Sequence, residues 1–275
     1  MDRITELPND QLIKILTLVD RRFGYDFSGY ARASVRRRVV GFMNRTGIGT
    51  AGELEYLLIN DEGCFARFLQ YITVNVTEMF RDPGFYKMLR EDVLPQLASY
   101  PFIKIWHAGC STGEEVYSMA ILLKEEGLLE RTKLYATDIN SYVLGKAKQG
   151  IFPLRYMQDY TRNYRNSGGK EVFSGYYTAK YDNVVFDASL RKNMVFALHN
   201  LTSDRSFNEF NLILCRNVMI YFDRGFQQKC VQLFRESLCL LGYLGLGTKE
   251  SLAFNDDARC FEAVDFRWRL YRRTK

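Results

Sequence analysis

The chain has 275 residues, 47% of them aliphatic, aromatic or cysteine and 25% charged. That is the balance of a folded globular protein, enough for one large domain or two ordinary ones, and it excludes a disordered chain. No apolar run approaches ~18 residues, which excludes a membrane-spanning helix. The opening MDRITELP lacks the basic-then-apolar form of a secretory leader, so the cytoplasm is the expected location. With only His107 and His199 present, a histidine-built metal site is not expected, nor any other metal. The six cysteines are scattered without a paired spacing and read as small buried apolar groups. Lys and Arg number 38 against 32 acids, a net +6 that favours an acidic partner without naming one.

Residues 1 to about 98 read as helices. Pro8-Asn9-Asp10 opens a run with Leu12, Leu16 and Val19 on one stripe, closing near Gly24. A second run carries Val35, Val39 and Phe42 and ends before Gly47. Thr50 followed by Glu53 is a capping-box pattern for a third helix. Asp82-Pro83 reads as the cap and first residue of a fourth, with Phe85, Leu89 and Val93 on its apolar face.

From about residue 102 the style changes to strands alternating with helices, which predicts a parallel sheet covered on both faces. A strand at 103–106 runs into the turn Gly109–Gly113 and a helix from Glu114 to about Glu126. A second strand at 134–137 ends at Asp138 and leads to a helix over 141–149. A third spans 211–215, followed after Asp223 by a helix to about Leu240, with later strands at 243–246 and 268–271. Residues 155 to about 193 break the alternation. They are rich in Tyr, Arg and Lys, and 176–181 with 184–186 suggest a small antiparallel insert. Such an insert serves recognition or is a plain surface excursion.

The Gly109–Gly113 turn is neither the pyrophosphate fingerprint nor a P-loop, so a cofactor without phosphates fits it better, and S-adenosylmethionine is one. Asp138, at a strand end, is placed to accept from ribose hydroxyls, and Glu114 or Glu115 to meet a cationic part of the cofactor. Each signal alone is weak, since glycines after a strand and an Asp before a helix are ordinary features.

Four segments together carry a resemblance: 75–83 (NVTEMFRDP), 108–115 (AGCSTGEE), 136–140 (ATDIN) and 215–223 (CRNVMIYFD). In order and spacing they resemble the CheR family, the S-adenosylmethionine-dependent protein-glutamate O-methyltransferases of bacterial chemotaxis, over nearly the whole chain. The resemblance implies a helical receptor-facing domain at 1–82. It implies a Rossmann-like methyltransferase domain at 83–275 with a β insert at about 156–193. Its cofactor site would use Asn75, Thr77, Arg81, Glu115, Asp138, Asn200, Leu201, Arg216 and Asn217, with Gly109, Ser111 and Gly113 shaping the turn. Within the glutamate doublet, Glu115 is the implied residue and Glu114 the alternative. The family pattern also sets an arginine and a tyrosine beside the transferable methyl, falling on Arg81 and Tyr221.

The implied reaction is attack of a glutamate carboxylate on a sulfonium methyl, giving a methyl ester and S-adenosylhomocysteine. A glutamate side chain ordinarily titrates at about 4.3 and is already ionised at neutral pH, so no base and no metal are required. Five arginines (32, 36, 37, 38 and 45) and no acid lie between residues 28 and 48. They form either a solvated face or, with Arg36, Arg37 and Arg38 foremost, a surface for the acidic methylation helices of chemoreceptors. In some members the insert binds a short peptide at the receptor's C-terminus, and the residues here leave capture and no capture both open.

The sequence departs from the family pattern at Val116, where proline is common, and at Thr248 and Lys249 in a late strand. Those departures leave room for a non-catalytic binding module. A nucleic-acid methyltransferase fits the charge but lacks the Pro-Pro-aromatic motif for exocyclic amines.

Overall fold

A computed structural model describes residues 6–253 and 255–275. Residues 1–5, where the leader expectation begins, lie outside them. By its contacts the chain divides into two compact units. One runs up to Val74 and takes in Met219–Lys229, and the other comprises Asn75–Val218 with Cys230–Lys275. The division thus falls at 74/75, where a boundary at 82/83 was expected.

The first unit is helical: α1 (Asn9–Phe23), α2 (Arg32–Thr46), α3 (Ala51–Asn60) and α4 (Glu62–Ile72). Helices α1 and α2 each stop at a left-handed glycine, Gly24 (φ 76°) and Gly47 (φ 75°), where a side chain would be strained. The Thr50 hydroxyl accepts from the Glu53 amide at 3.1 Å, capping α3 as its pattern predicts. Helix α4 was not anticipated. Leu12, Ile15, Val19, Val35, Val39, Phe42, Leu54 and Phe68 fill this unit's core. The Met219–Lys229 segment joins it through a bridge between Tyr30 and Phe222 and through the Asp223 amide, which donates to the Gly29 carbonyl at 2.7 Å.

The second unit begins with α5 (Pro83–Met88), which runs through a π turn (Leu89–Val93) into α6 (Leu94–Leu97). Then come β1 (Ile103–Ala108), α7 (Glu114–Glu125), β2 (Thr132–Asp138), α8 (Ser141–Gln149) and β3 (Ile151–Pro153). After these follow α9 (Met157–Asn166), β4 (Tyr177–Lys180), β5 (Asn183–Phe186), α10 (Ala188–Arg191), β6 (Met194–Leu198) and β7 (Phe210–Cys215). Helix α11 (Arg224–Ser237) passes from the first unit to the second and is followed directly by β8 (Leu238–Leu246), β9 (Phe261–Asp265) and β10 (Leu270–Arg273).

The main sheet has the order β6-β2-β1-β7-β8-β10-β9. Strands β6, β2, β1, β7 and β8 are parallel, and β10 and β9 are antiparallel additions. The central strands are largely apolar because helices cover both faces, and every residue of β7 is buried. Chain order reverses direction between β1 and β7, and in such sheets ligands bind outside the carboxyl ends of the strands at that reversal. The insert is a separate antiparallel sheet, β3-β5-β4, so it starts at Ile151, a few residues ahead of the expected edge. All six cysteines are free thiols, five buried and Cys239 half-buried.

Candidate functional site

Each predicted cofactor segment in the sheet unit follows the carboxyl end of a parallel strand or precedes α5. After β1 the chain must turn sharply to enter α7. Gly109 (φ 79°), Ser111 (φ 50°) and Gly113 (φ 98°) take the left-handed conformations that do this. A Cβ on Gly109 would lie 2.6 Å from the Val218 side chain, so glycine lets the loops after β1 and β7 approach closely.

Asp138 closes β2. Its Oδ2 accepts from the Ser111 amide and its Oδ1 from the Asn140 amide, each at 2.9 Å. A carboxylate has about four acceptor positions, so these amides leave room for a ribose hydroxyl. Burial raises the Asp138 carboxyl above its ordinary range, against the opposing amides of Asn140, Ser111 and Ile139. Four other residues of the predicted cofactor set carry a buried polar atom without a partner: Ser111 Oγ, Asn200 Nδ2, Arg216 Nε and Asn217 Oδ1. Buried polar groups are ordinarily satisfied, so these atoms point to a polar ligand. Leu201 is buried next to Asn200, and its carbonyl accepts from Cys230 Sγ.

Arg81 is presented by a strained backbone. Its neighbours Phe80 (φ 52°) and Asp82 (φ 56°) are both left-handed, a costly state that only surrounding contacts can hold. Those contacts are visible. The Phe80 amide donates to Ser118 Oγ at 2.9 Å. Arg216 donates to the Arg81 carbonyl at 3.2 Å and to the Asp82 carboxylate at 2.6 Å. Arg216 itself is buried, with its guanidinium 4.1 Å from the Phe85 ring centre. Asp82 was expected to cap α5, but it makes no side-chain cap bond because its carboxylate serves this ion pair. Asn75 and Thr77 lie half-buried on the irregular stretch ahead of it.

The glutamate doublet separates cleanly. Glu115 Oε1 is 2.9 Å from His107 Nδ1, and its Oε2 is 3.7 Å from Arg216. Burial pushes the Glu115 carboxyl up, but contact with His107 and the Arg216 and Arg81 charges outweigh it and hold it below the usual range. Glu114 turns elsewhere, accepting from Thr112 Oγ1 at 2.6 Å. Burial pushes its carboxyl up to about 7, against that hydrogen bond and one from its own amide. The folded state therefore keeps a proton that the unfolded chain releases near 4.5. Glu114's contribution to stability is intact below that pH and is lost as pH rises through 7. Glu114→Gln, neutral throughout, is expected to be about 3 kcal/mol more stable than the native protein at pH 8 and nearly equal to it at pH 4.5. Melting curves at the two pH values check this, and a gain independent of pH would contradict it.

Glu250 went unnoticed in the sequence. It is buried and accepts from three backbone amides, Asn217 and Val218 at 2.9 Å and Gly247 at 2.6 Å. It thereby fixes the left-handed Asn217 (φ 61°) after β7. The departures Thr248 and Lys249 are the half-buried and exposed members of the same turn, so they leave this anchor untouched. Tyr221 lies half-buried in the helical unit, where its carbonyl accepts from the Ala31 amide at 2.9 Å. On α2, Arg37 is exposed, while Arg36 and Arg38 are half-buried and reach Asn9 Oδ1 and the Tyr71 carbonyl.

Fold and site define a Rossmann-like, S-adenosylmethionine-binding methyltransferase domain preceded by an all-helical one. Residues 75–269 match the CheR methyltransferase SAM-binding domain, and residues 10–73 match the CheR methyltransferase all-alpha domain. The chain belongs to the CheR methyltransferase family. It is 46% identical to "Putative methyltransferase Cher3" of Pseudomonas putida, over 99% of each chain. It is 30% identical to a chemotaxis protein methyltransferase of Listeria monocytogenes, over 90% of this chain and 92% of that one. With the chemotaxis protein methyltransferase of Escherichia coli the identity is 29%, over 87% and 84% of the two chains. Among the described residues no helix is long and apolar enough to cross a membrane.

Proposed function

We propose that this protein is a cytoplasmic protein-glutamate O-methyltransferase acting on the methylation helices of chemoreceptors. The helical unit up to Val74 faces the receptor, and the chain from Asn75 onward binds the methyl donor and carries out transfer. S-adenosylmethionine supplies a methyl group made electrophilic by its sulfonium and leaves as S-adenosylhomocysteine. The chain's own task is to bind and orient. Asp138 takes a ribose hydroxyl, and the Ser111, Asn200 and Asn217 polar atoms complete the cradle. Glu115 meets the donor's cationic end.

Arg81 is the observation that carries the choice of an anionic substrate. Its backbone is held between two left-handed neighbours and its charge acts on the Glu115 carboxyl, and a guanidinium suits a carboxylate by charge and by planar geometry. It holds one carboxylate oxygen and leaves the other free. Holding a nucleophile in line contributes up to roughly 7–11 kcal/mol in the best cases, which outweighs the damping of the nucleophile by a nearby cation.

The basic face of α2 supports an acidic partner, and Arg37 is the exposed member of the Arg36–Arg38 run. Arg37→Glu is expected to slow receptor methylation several-fold at low salt, with the difference closing near 0.5 M salt where charges beyond a few Å are screened. Equal rates at low salt would remove this surface from the proposal. The exposed edge strand β4 of the insert supports capture of a receptor tail by strand addition. The test of the activity is transfer of labelled methyl from S-adenosylmethionine to receptor-bearing membranes. Mild base is expected to release the label as methanol, and base-stable label would overturn the assignment.

A further inference from the structure

We infer that His107 is a positioning residue for the donor site, holding Glu115 where it meets the bound donor. The inference rests on the cofactor-site reading of Glu115. His107 lies on β1 with its ring fully buried, between Ala136 of β2 and Leu214 of β7 in the sheet. The rest of that strand is apolar apart from Lys104. The ring makes one hydrogen bond, Nδ1 to Glu115 Oε1 at 2.9 Å. Nε2 is buried without a partner. Leaving a buried nitrogen unmet is unfavourable, so the residue's contribution lies on its Nδ1 side.

The geometry there is specific. Glu115 is ionised and can only accept, so Nδ1 carries the hydrogen. One Glu115 oxygen is held by His107, and the other faces Arg216, which also grips the Arg81 carbonyl and Asp82. His107 is thus the far anchor of a row that runs His107, Glu115, Arg216, then the strained Arg81 segment. Without it Glu115 is held from one side only, and it is free to swing toward Arg216 and away from the donor.

The test uses three variants and S-adenosylhomocysteine as the probe, with affinity by calorimetry and stability by thermal melting. His107→Leu removes the hydrogen-bond donor while keeping an apolar filling. Affinity is expected to fall about ten-fold, the loss of one charge-assisted hydrogen bond, with the melting temperature lowered modestly because the Glu115 carboxylate loses a partner. His107→Asn places an amide N–H near the lost Nδ1 and is expected to recover affinity to within about three-fold of native. His107→Gln, whose amide falls nearer Nε2, is expected to stay low. Native affinity in His107→Leu would overturn the inference, as would equal losses in the Leu and Asn variants accompanied by equal drops in melting temperature. Failure of the native protein itself to bind the probe would overturn the cofactor-site reading on which the inference stands.

Discussion

Arg81→Ala is expected to lower methyl transfer by at least about a hundred-fold while the protein stays folded and still binds S-adenosylhomocysteine. A hundred-fold is about 2.7 kcal/mol of barrier, within what one charge-assisted contact contributes, and lost alignment adds to it. The fold is spared because Arg216 grips the Arg81 carbonyl, not its side chain. The left-handed backbone of Phe80 and Asp82 is therefore still held in the variant. Arg81→Lys keeps the charge and loses the planar fork, so it should fall between the two. Turnover of Arg81→Ala at the native rate on a receptor fragment would refute the role.

The largest loss of stability is expected from Arg216→Met. The guanidinium is buried against Phe85 and serves Asp82, Glu115 and the Arg81 carbonyl together. Removing it leaves two carboxylates without their cation, and breaking a buried pair in this way costs about 3–5 kcal/mol. At roughly 2–4 °C per kcal/mol for a domain of 150–250 residues, melting should drop by roughly 6–20 °C. Asp82→Asn in the same chain should recover part of that drop, because it removes one of the stranded charges. A melting temperature within a degree of native would show that the network contributes little.

Features set by neighbouring residues were legible in the sequence. Gly24, Gly47 and Thr50 end or cap helices by local geometry. The β1 turn and Asp138 were legible for the same reason, as glycines and an acid at strand ends. What escaped notice was set from a distance. Asp82-Pro83 carries a cap signal, yet an arginine far along the chain takes the carboxylate. Helix α4 begins behind Asn60-Asp61-Glu62-Gly63, a run of turn formers, and Asp61 makes no side-chain cap bond. The change from α11 to β8 occurs at Ser237/Leu238 with no glycine or proline between, so a helix to about Leu240 was expected. Strands β6 and β9 are at the sheet's two edges and only partly buried, which blurs their pattern. Glu250 looks like any late-strand acid until the fold brings it to amides 33 residues away. His107 reads as one more residue of an apolar strand until α7 sets Glu115 against it.

The most direct measurement is a crystal structure with S-adenosylhomocysteine bound. The donor's ribose is expected on Asp138, with Ser111, Asn200 and Asn217 supplying their unpartnered atoms and Arg81 facing the sulfur. A ligand seated elsewhere, or one that leaves Asp138 and Arg81 on opposite sides of the domain with no common cavity, would contradict the site described above.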